Sequence, residues 1–141
     1  SSLTKRFIYI RISSVHLPLK KERCSVPVAR VRRRVDSISL AVERNISTTL
    51  QHAVARALNV PGCPEGLLAP RDVEVYFDNF QPNDFCFKNI GIIVEANLIP
   101  EREENLEART KLIVDRLRDW IPNRYSFSVW VRLAPGAYVE G

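Results

Sequence analysis

The sequence predicts an α+β fold: two β-α-β repeats forming a four-stranded sheet with two helices on one face, preceded by an N-terminal extension that carries a strand of its own. Three observations predict it. The chain has 141 residues, 45% hydrophobic and 26% charged, which suits one domain with a genuine core. From residue 26 onward the apolar residues recur with period two, then at spacings of three and four, then with period two again, and this order occurs twice. The charge is also uneven. Residues 1 to 34 hold ten of the 21 Lys and Arg against one acid, Glu22, so +9 lies there and −4 on the rest. The division that follows is a basic extension, 1–25, and a folded body, 26–141.

Each element has its own signal. Phe7 to Ile12 alternates as a strand should, and is expected to pair with a sheet edge or cover an apolar face. Val28 to Val35 alternates Ala29 and Val31 with arginines and stops at Asp36-Ser37. Ile38, Val42, Ile46, Leu50, Ala53, Val54, Ala57 and Leu58 then form one stripe of a helix capped by Ser37 or Ser39. Two prolines and two glycines between Val60 and Gly66 force a loop. Asp72 to Phe80 alternates Val73, Val75 and Phe77 with polar partners, a half-buried strand. Ile90 to Ile99 is nearly continuously apolar, as a central strand covered on both faces would be. Pro100 and the acids Glu101, Glu103 and Glu104 mark a helix start, where a missing N–H costs nothing and negative charge meets the helix dipole. Leu106, Arg109, Ile113, Leu117, Trp120 and Ile121 continue its core stripe to Pro122. Phe127, Val129 and Val131 alternate in the last strand, and residues 134–141 form a turn and a short tail. Tyr76, Trp130 and one side of 90–99 leave the sheet face opposite the helices too apolar for a small monomer, so oligomerisation is expected.

Several function classes lose support. No stretch approaches the roughly 20 apolar residues a membrane span needs, and the opening segment is too charged and short for a secretory signal, so a cytoplasmic location without membrane attachment is the expectation. Cys24, Cys63 and Cys86 are odd in number and widely spaced, and with only His16 and His52 they predict neither a disulfide framework nor a metal site. No phosphate loop or glycine-rich nucleotide motif occurs, and no cofactor is expected. Asn45-Ile46-Ser47 falls within a helix and reads as chance, and nothing near Cys86 would activate it. The same sheet plan serves RNA-recognition domains, but 90–98 lacks the aromatics that stack bases, so specific nucleic-acid recognition is not expected. A salt-sensitive, non-specific contact through Lys20 to Arg34 stays open.

The doubled β-α-β order, the opening Val26-Pro27-Val28-Ala29-Arg30-Val31-Arg32 and the closing Val129-Trp130-Val131-Arg132-Leu133-Ala134-Pro135-Gly136-Ala137-Tyr138 together resemble the tautomerase superfamily, which includes 4-oxalocrotonate tautomerase, 5-carboxymethyl-2-hydroxymuconate isomerase and macrophage migration inhibitory factor, over about residues 26–141. The resemblance implies a homotrimer and a small keto or enol acid as ligand. It also implies a proton shuttle by an N-terminal proline, to which Pro27 corresponds, with arginines holding the substrate carboxylate. Arg30 and Arg32 share a strand face and could line a pocket beside Pro27 for that task, although an arginine run at a strand end such as 32–34 also suits a solvated rim. Trp130 and Tyr138 could close a pocket, or pack in a core or interface. Glu74 stands near where 4-oxalocrotonate tautomerase has a carboxylate-binding arginine, a departure that weighs against a dicarboxylate substrate.

The chemistry depends on one nitrogen. A proline inside a chain is a tertiary amide whose lone pair is delocalised, so it is no base, and Pro27 here follows Val26. If 1–25 is an upstream addition, with translation starting at Val26 as a methionine that is then removed, the shuttle operates. If the extension is native, the chain is a non-catalytic oligomeric binding or assembly protein.

Overall fold

The computed structural model describes residues 7–12 and 15–21 as strand backbone, and residues 26–135 and 141. The elements are β1 (Phe7–Ile12), β2 (Val15–Lys21), β3 (Val28–Arg33), α1 (Leu40–Leu58), β4 (Glu74–Asn79), β5 (Ile90–Asn97), α2 (Pro100–Glu104), α3 (Leu106–Arg118) and β6 (Phe127–Ala134). The main sheet has the order β4-β3-β5-β6. β3 and β4 are parallel, as are β5 and β6, because each pair is joined by a helical crossover. The two halves meet where β3 and β5 run antiparallel, Val28 opposite Glu95 and Arg32 opposite Gly91. The second half therefore mirrors the first.

One sheet face is closed by the helices. Ala29 and Val31 of β3 and Ile90, Ile92, Val94 and Ala96 of β5 are buried there against Ile46, Leu50, Val54 and Leu58 of α1 and Ile113 and Leu117 of α3. A fully buried leucine such as Leu50 contributes about 2–5 kcal/mol by the cost of its truncation. The other face of β5, Gly91, Ile93 and Glu95, is half-buried or exposed, so the expected cover on both faces is met on one only.

Ser39 is the cap of α1, its hydroxyl accepting the Val42 N–H at 3.2 Å, while the Ser37 hydroxyl donates to the Arg34 carbonyl. That turn ends β3 two residues before the predicted Val35, because Asp36 takes a left-handed conformation with φ 61°. At the other end of α1 the last carbonyls, which lack helical partners, are claimed by arginines. Arg109 donates to the carbonyls of Ala57 and Asn59, and the buried Arg102 donates to those of Leu58 and Asn97 at 2.7 and 3.1 Å. Burial, reinforced by the charge of Arg109, lowers the Arg102 guanidinium to about 10. In the following loop Gly66 packs so closely that a Cβ would meet Val60 at 2.6 Å.

Four expectations need correction. The second helix breaks at Asn105 (φ −132°, ψ 40°), whose side chain accepts from Arg109, so α2 and α3 replace one helix. Trp120 is half-exposed: α3 ends at Arg118, and the Trp120 N–H turns back to Leu117, leaving the stripe to Ile113, Leu117 and Ile121. Arg33 belongs to no solvated rim. It is 8% exposed, donates from Nε to Glu43 at 2.7 Å and from Nη1 to the Asp78 carbonyl and Asn79, and lies over the Phe77 ring. Finally, β1 pairs antiparallel with β2, a strand the sequence reading missed, in a separate two-stranded sheet rather than at an edge of the main one. Among the described residues no helix is long and apolar enough to cross a membrane.

Candidate functional site

Pro27 sits immediately before β3, a central strand, and is buried. Its carbonyl accepts the Glu74 N–H at 3.0 Å, which extends the β3–β4 ladder by one bond and holds the residue in the sheet. A proline is tolerated there because its missing donor falls at a strand start. In strand parity Pro27 sides with Ala29 and Val31, which face the helices.

Arg30 and Arg32 project from the opposite, open face, as their spacing required. Register places Tyr76, Arg30, Ile93 and Trp130 in one row across that face, and Asp78, Arg32, Gly91 and Ser128 in the next. Adjacent strands lie about 4.8 Å apart, so Arg30 and Trp130 stand roughly 10 Å apart with Ile93 between them. Arg30 is held from both sides: its guanidinium is 3.5 Å from Asp78 Oδ2 and lies 5.2 Å from the centre of the Tyr76 ring. Arg32 lies 5.6 Å from the Phe80 ring centre. On β6, Arg132 lies over Trp130 and donates to Glu95 at 2.6 Å. The Tyr76 hydroxyl donates to Glu74, and that bond and the carboxylate's charge hold the phenol above its ordinary pKa. Both partners in each pair are substantially exposed, so they order the face rather than stabilise the fold.

The open face thus brings together Arg32 and Trp130, which line one cleft of about 260 Å³ with Phe80, Phe85, Phe87 and Ile93. It places Arg30 in the adjoining row. Pro27 lies outside that lining, at the far end of β3. Tyr138 lies outside the described residues.

Sequence reasoning missed the segment between β4 and β5, where Phe85 and Phe87 are 87% and 84% exposed. The signal was present in Asn83-Asp84-Phe85-Cys86-Phe87, two large apolar residues on a loop held by no periodic pattern. The Gln81 N–H donates to Asp84 Oδ2 at 2.7 Å, fixing the turn from which they project.

No protein-family model matches the sequence, and no curated protein matches it. Solved structures do. A fused 4-OT, an asymmetric trimer, is 14% identical with a TM-score of 0.52, covering 81% of this chain and 92% of its own. Malonate semialdehyde decarboxylase is 13% identical with a TM-score of 0.54, over 78% and 84%. A macrophage migration inhibitory factor-like protein from Entamoeba histolytica is 11% identical with a TM-score of 0.51, over 77% and 89%. The doubled β-α-β sheet with its helices on one face is the fold this chain shares with these structures.

Proposed function

We propose that this chain is a tautomerase-fold oligomer whose keto–enol chemistry is set by the state of the Pro27 nitrogen. The observation that carries the reading is the position of Pro27 immediately before a central strand of that fold, three and five residues before Arg30 and Arg32. Where Pro27 is N-terminal, its secondary amine takes a proton from the hydroxyl of a small enol acid and returns one to carbon, with no net change in protons. Arg30 and Arg32 lie on the face opposite Pro27 of their own subunit, so their guanidinium groups orient the acid's carboxylate from a neighbouring copy, and Trp130 and Tyr138 supply aromatic walls. Where Val26 acylates the nitrogen, the same fold binds without turning over.

A second reading, a non-catalytic oligomeric binding or assembly protein, is supported by the pairing of Arg30 with Asp78 and Tyr76 and by the carboxylate of Glu74 on the same face. Under either reading the open face bearing Ile93, Tyr76 and Trp130 is covered by further copies of the chain, and a homotrimer is the assembly proposed. Assay of the full chain beside a version beginning at Pro27, on phenylenolpyruvate or 2-hydroxymuconate, separates the readings. Turnover only by the latter supports the shuttle; equal inactivity leaves the binding protein.

A further inference from the structure

At the end of the sheet opposite Pro27, the chain leaves β3 and β4 and enters β5 and β6. A cleft of about 270 Å³ opens there, lined by Arg34, Lys88, Phe80, Phe87, Tyr125 and Asn89 among others. We propose that this cleft binds a small aromatic phosphate, the phosphate between Arg34 and Lys88 and the ring against Phe80, Phe87 and Tyr125.

Charge is the first argument. The lining contains two cations and no acid, and among the described residues neither Arg34 nor Lys88 is paired with a carboxylate. Each instead lies near a ring, Arg34 at 6.0 Å from the centre of Phe80 and Lys88 at 5.1 Å from that of Phe87. A ring face holds a cation in place while leaving its charge available, so the site is set for an anion. Two separate cations suit a phosphate dianion better than a single carboxylate.

Shape is the second. Phe87 stands 84% exposed, and a flat ligand ring packed on it would recover the apolar burial it forgoes in water. The volume suits one ring with its phosphate and is small for a larger ligand.

Rigidity is the third. Ser126 donates from N and Oγ to Asn89 Oδ1 at 2.9 and 3.1 Å, and Asn89 returns its own N–H to Ser126 Oγ. The Tyr125 hydroxyl donates to the Ser37 carbonyl at 2.8 Å, and Ser37 in turn donates to that of Arg34. The walls are therefore fastened across three loops before any ligand arrives, which lowers the ordering cost of binding. The amide nitrogen of Asn89 donates to no described residue and is left to meet a phosphate oxygen. The site lies at the far end of the sheet from Pro27 and contains none of Pro27, Arg30, Arg32 and Trp130, although it shares Phe80 and Phe87 with the neighbouring cleft of Arg32 and Trp130.

The test is titration of the full chain with phenyl phosphate, followed by backbone amide shifts and calorimetry, beside inorganic phosphate and phenol as its two halves. The expected result is saturable binding with shifts centred on Asn89, Tyr125 and Ser126, at least about tenfold tighter than either half. An Arg34→Gln/Lys88→Gln variant is expected to weaken it by about tenfold or more, and Phe87→Ser to weaken phenyl phosphate while sparing inorganic phosphate. Arg34 and Phe87 are exposed and Lys88 half-buried, and an unchanged far-ultraviolet spectrum verifies that the variants fold. Absence of saturable binding, equal affinity for the halves, or undiminished binding by the charge variant overturns the proposal.

Discussion

Arg33 joins three elements through one side chain, and its removal gives a quantitative test of the packing account. Its side chain is 10% exposed and that of its partner Glu43 17%, so the pair sits out of water and little solvent screening applies. Arg33→Met keeps the apolar stem but deletes the guanidinium that lies over Phe77 and bonds to Glu43, the Asp78 carbonyl and Asn79. Removing one partner of a buried pair costs about 3–5 kcal/mol, chiefly because the other charge is stranded. With part of the stem contact retained, about 3 kcal/mol is expected, or roughly 6–12 °C in Tm for a chain of this size. Adding Glu43→Leu removes the stranded carboxylate, so the double variant should recover about 2 kcal/mol relative to the sum of the singles. Urea unfolding followed by circular dichroism measures all four corners of the cycle, at one fixed protein concentration. Single effects that add to within about 0.5 kcal/mol would show that Arg33 and Glu43 act separately and would refute the reasoning.

Further outcomes can be checked with ordinary means. Trp130→Asp puts a charge in the middle of the open face and should reduce the light-scattering mass from a multiple of 16.1 kDa to that value, whereas a wild-type chain already at 16.1 kDa would remove the need for a covered face. The Cys63 thiol is pushed up by burial and then by the neighbouring Glu65, so the folded state holds that proton after the unfolded chain has lost it. Stability should therefore fall as pH rises from the ordinary thiol value of 9.0 toward the raised one, and Cys63→Ala should flatten that slope in urea titrations. Asp36 is exposed but left-handed, so Asp36→Val should cost about 1–2 kcal/mol while Asp36→Gly costs none; equal thermal midpoints for the two would contradict the backbone explanation.

The sheet and its two crossover helices were legible because burial on a sheet or helix face leaves a period in the sequence. Ala29 and Val31 show it on β3, and Ile46, Leu50, Val54 and Leu58 on α1. What periodicity does not encode is who satisfies a polar group. Arg33 read as part of a solvated rim and Arg102 drew no reading at all, and only the fold shows them buried on carbonyls and a carboxylate. The break at Asn105 has the same origin, since Arg102 turns inward while Arg109 reaches back to α1. Trp120 followed the helical stripe but fell one residue past the helix's C-cap, where the period no longer applies. The pairing of β1 with β2 is a choice between edges, and alternation in 7–12 names a strand without naming its neighbour. At the site, the shared face of Arg30 and Arg32 followed from parity alone. The expectation that they line a pocket beside Pro27 overlooked the same rule, since Pro27 has the other parity, with Ala29 and Val31.

The account turns on whether acylation of Pro27 silences it, and steady-state ketonisation of phenylenolpyruvate by three proteins decides this most directly: the full chain, a version beginning at Pro27, and that version with Pro27→Ala. The prediction is turnover by the second alone, with the alanine form reduced by about a hundredfold or more, the scale of a lost general base. Equal turnover by the full chain, in which the nitrogen carries no lone pair to give, would contradict it.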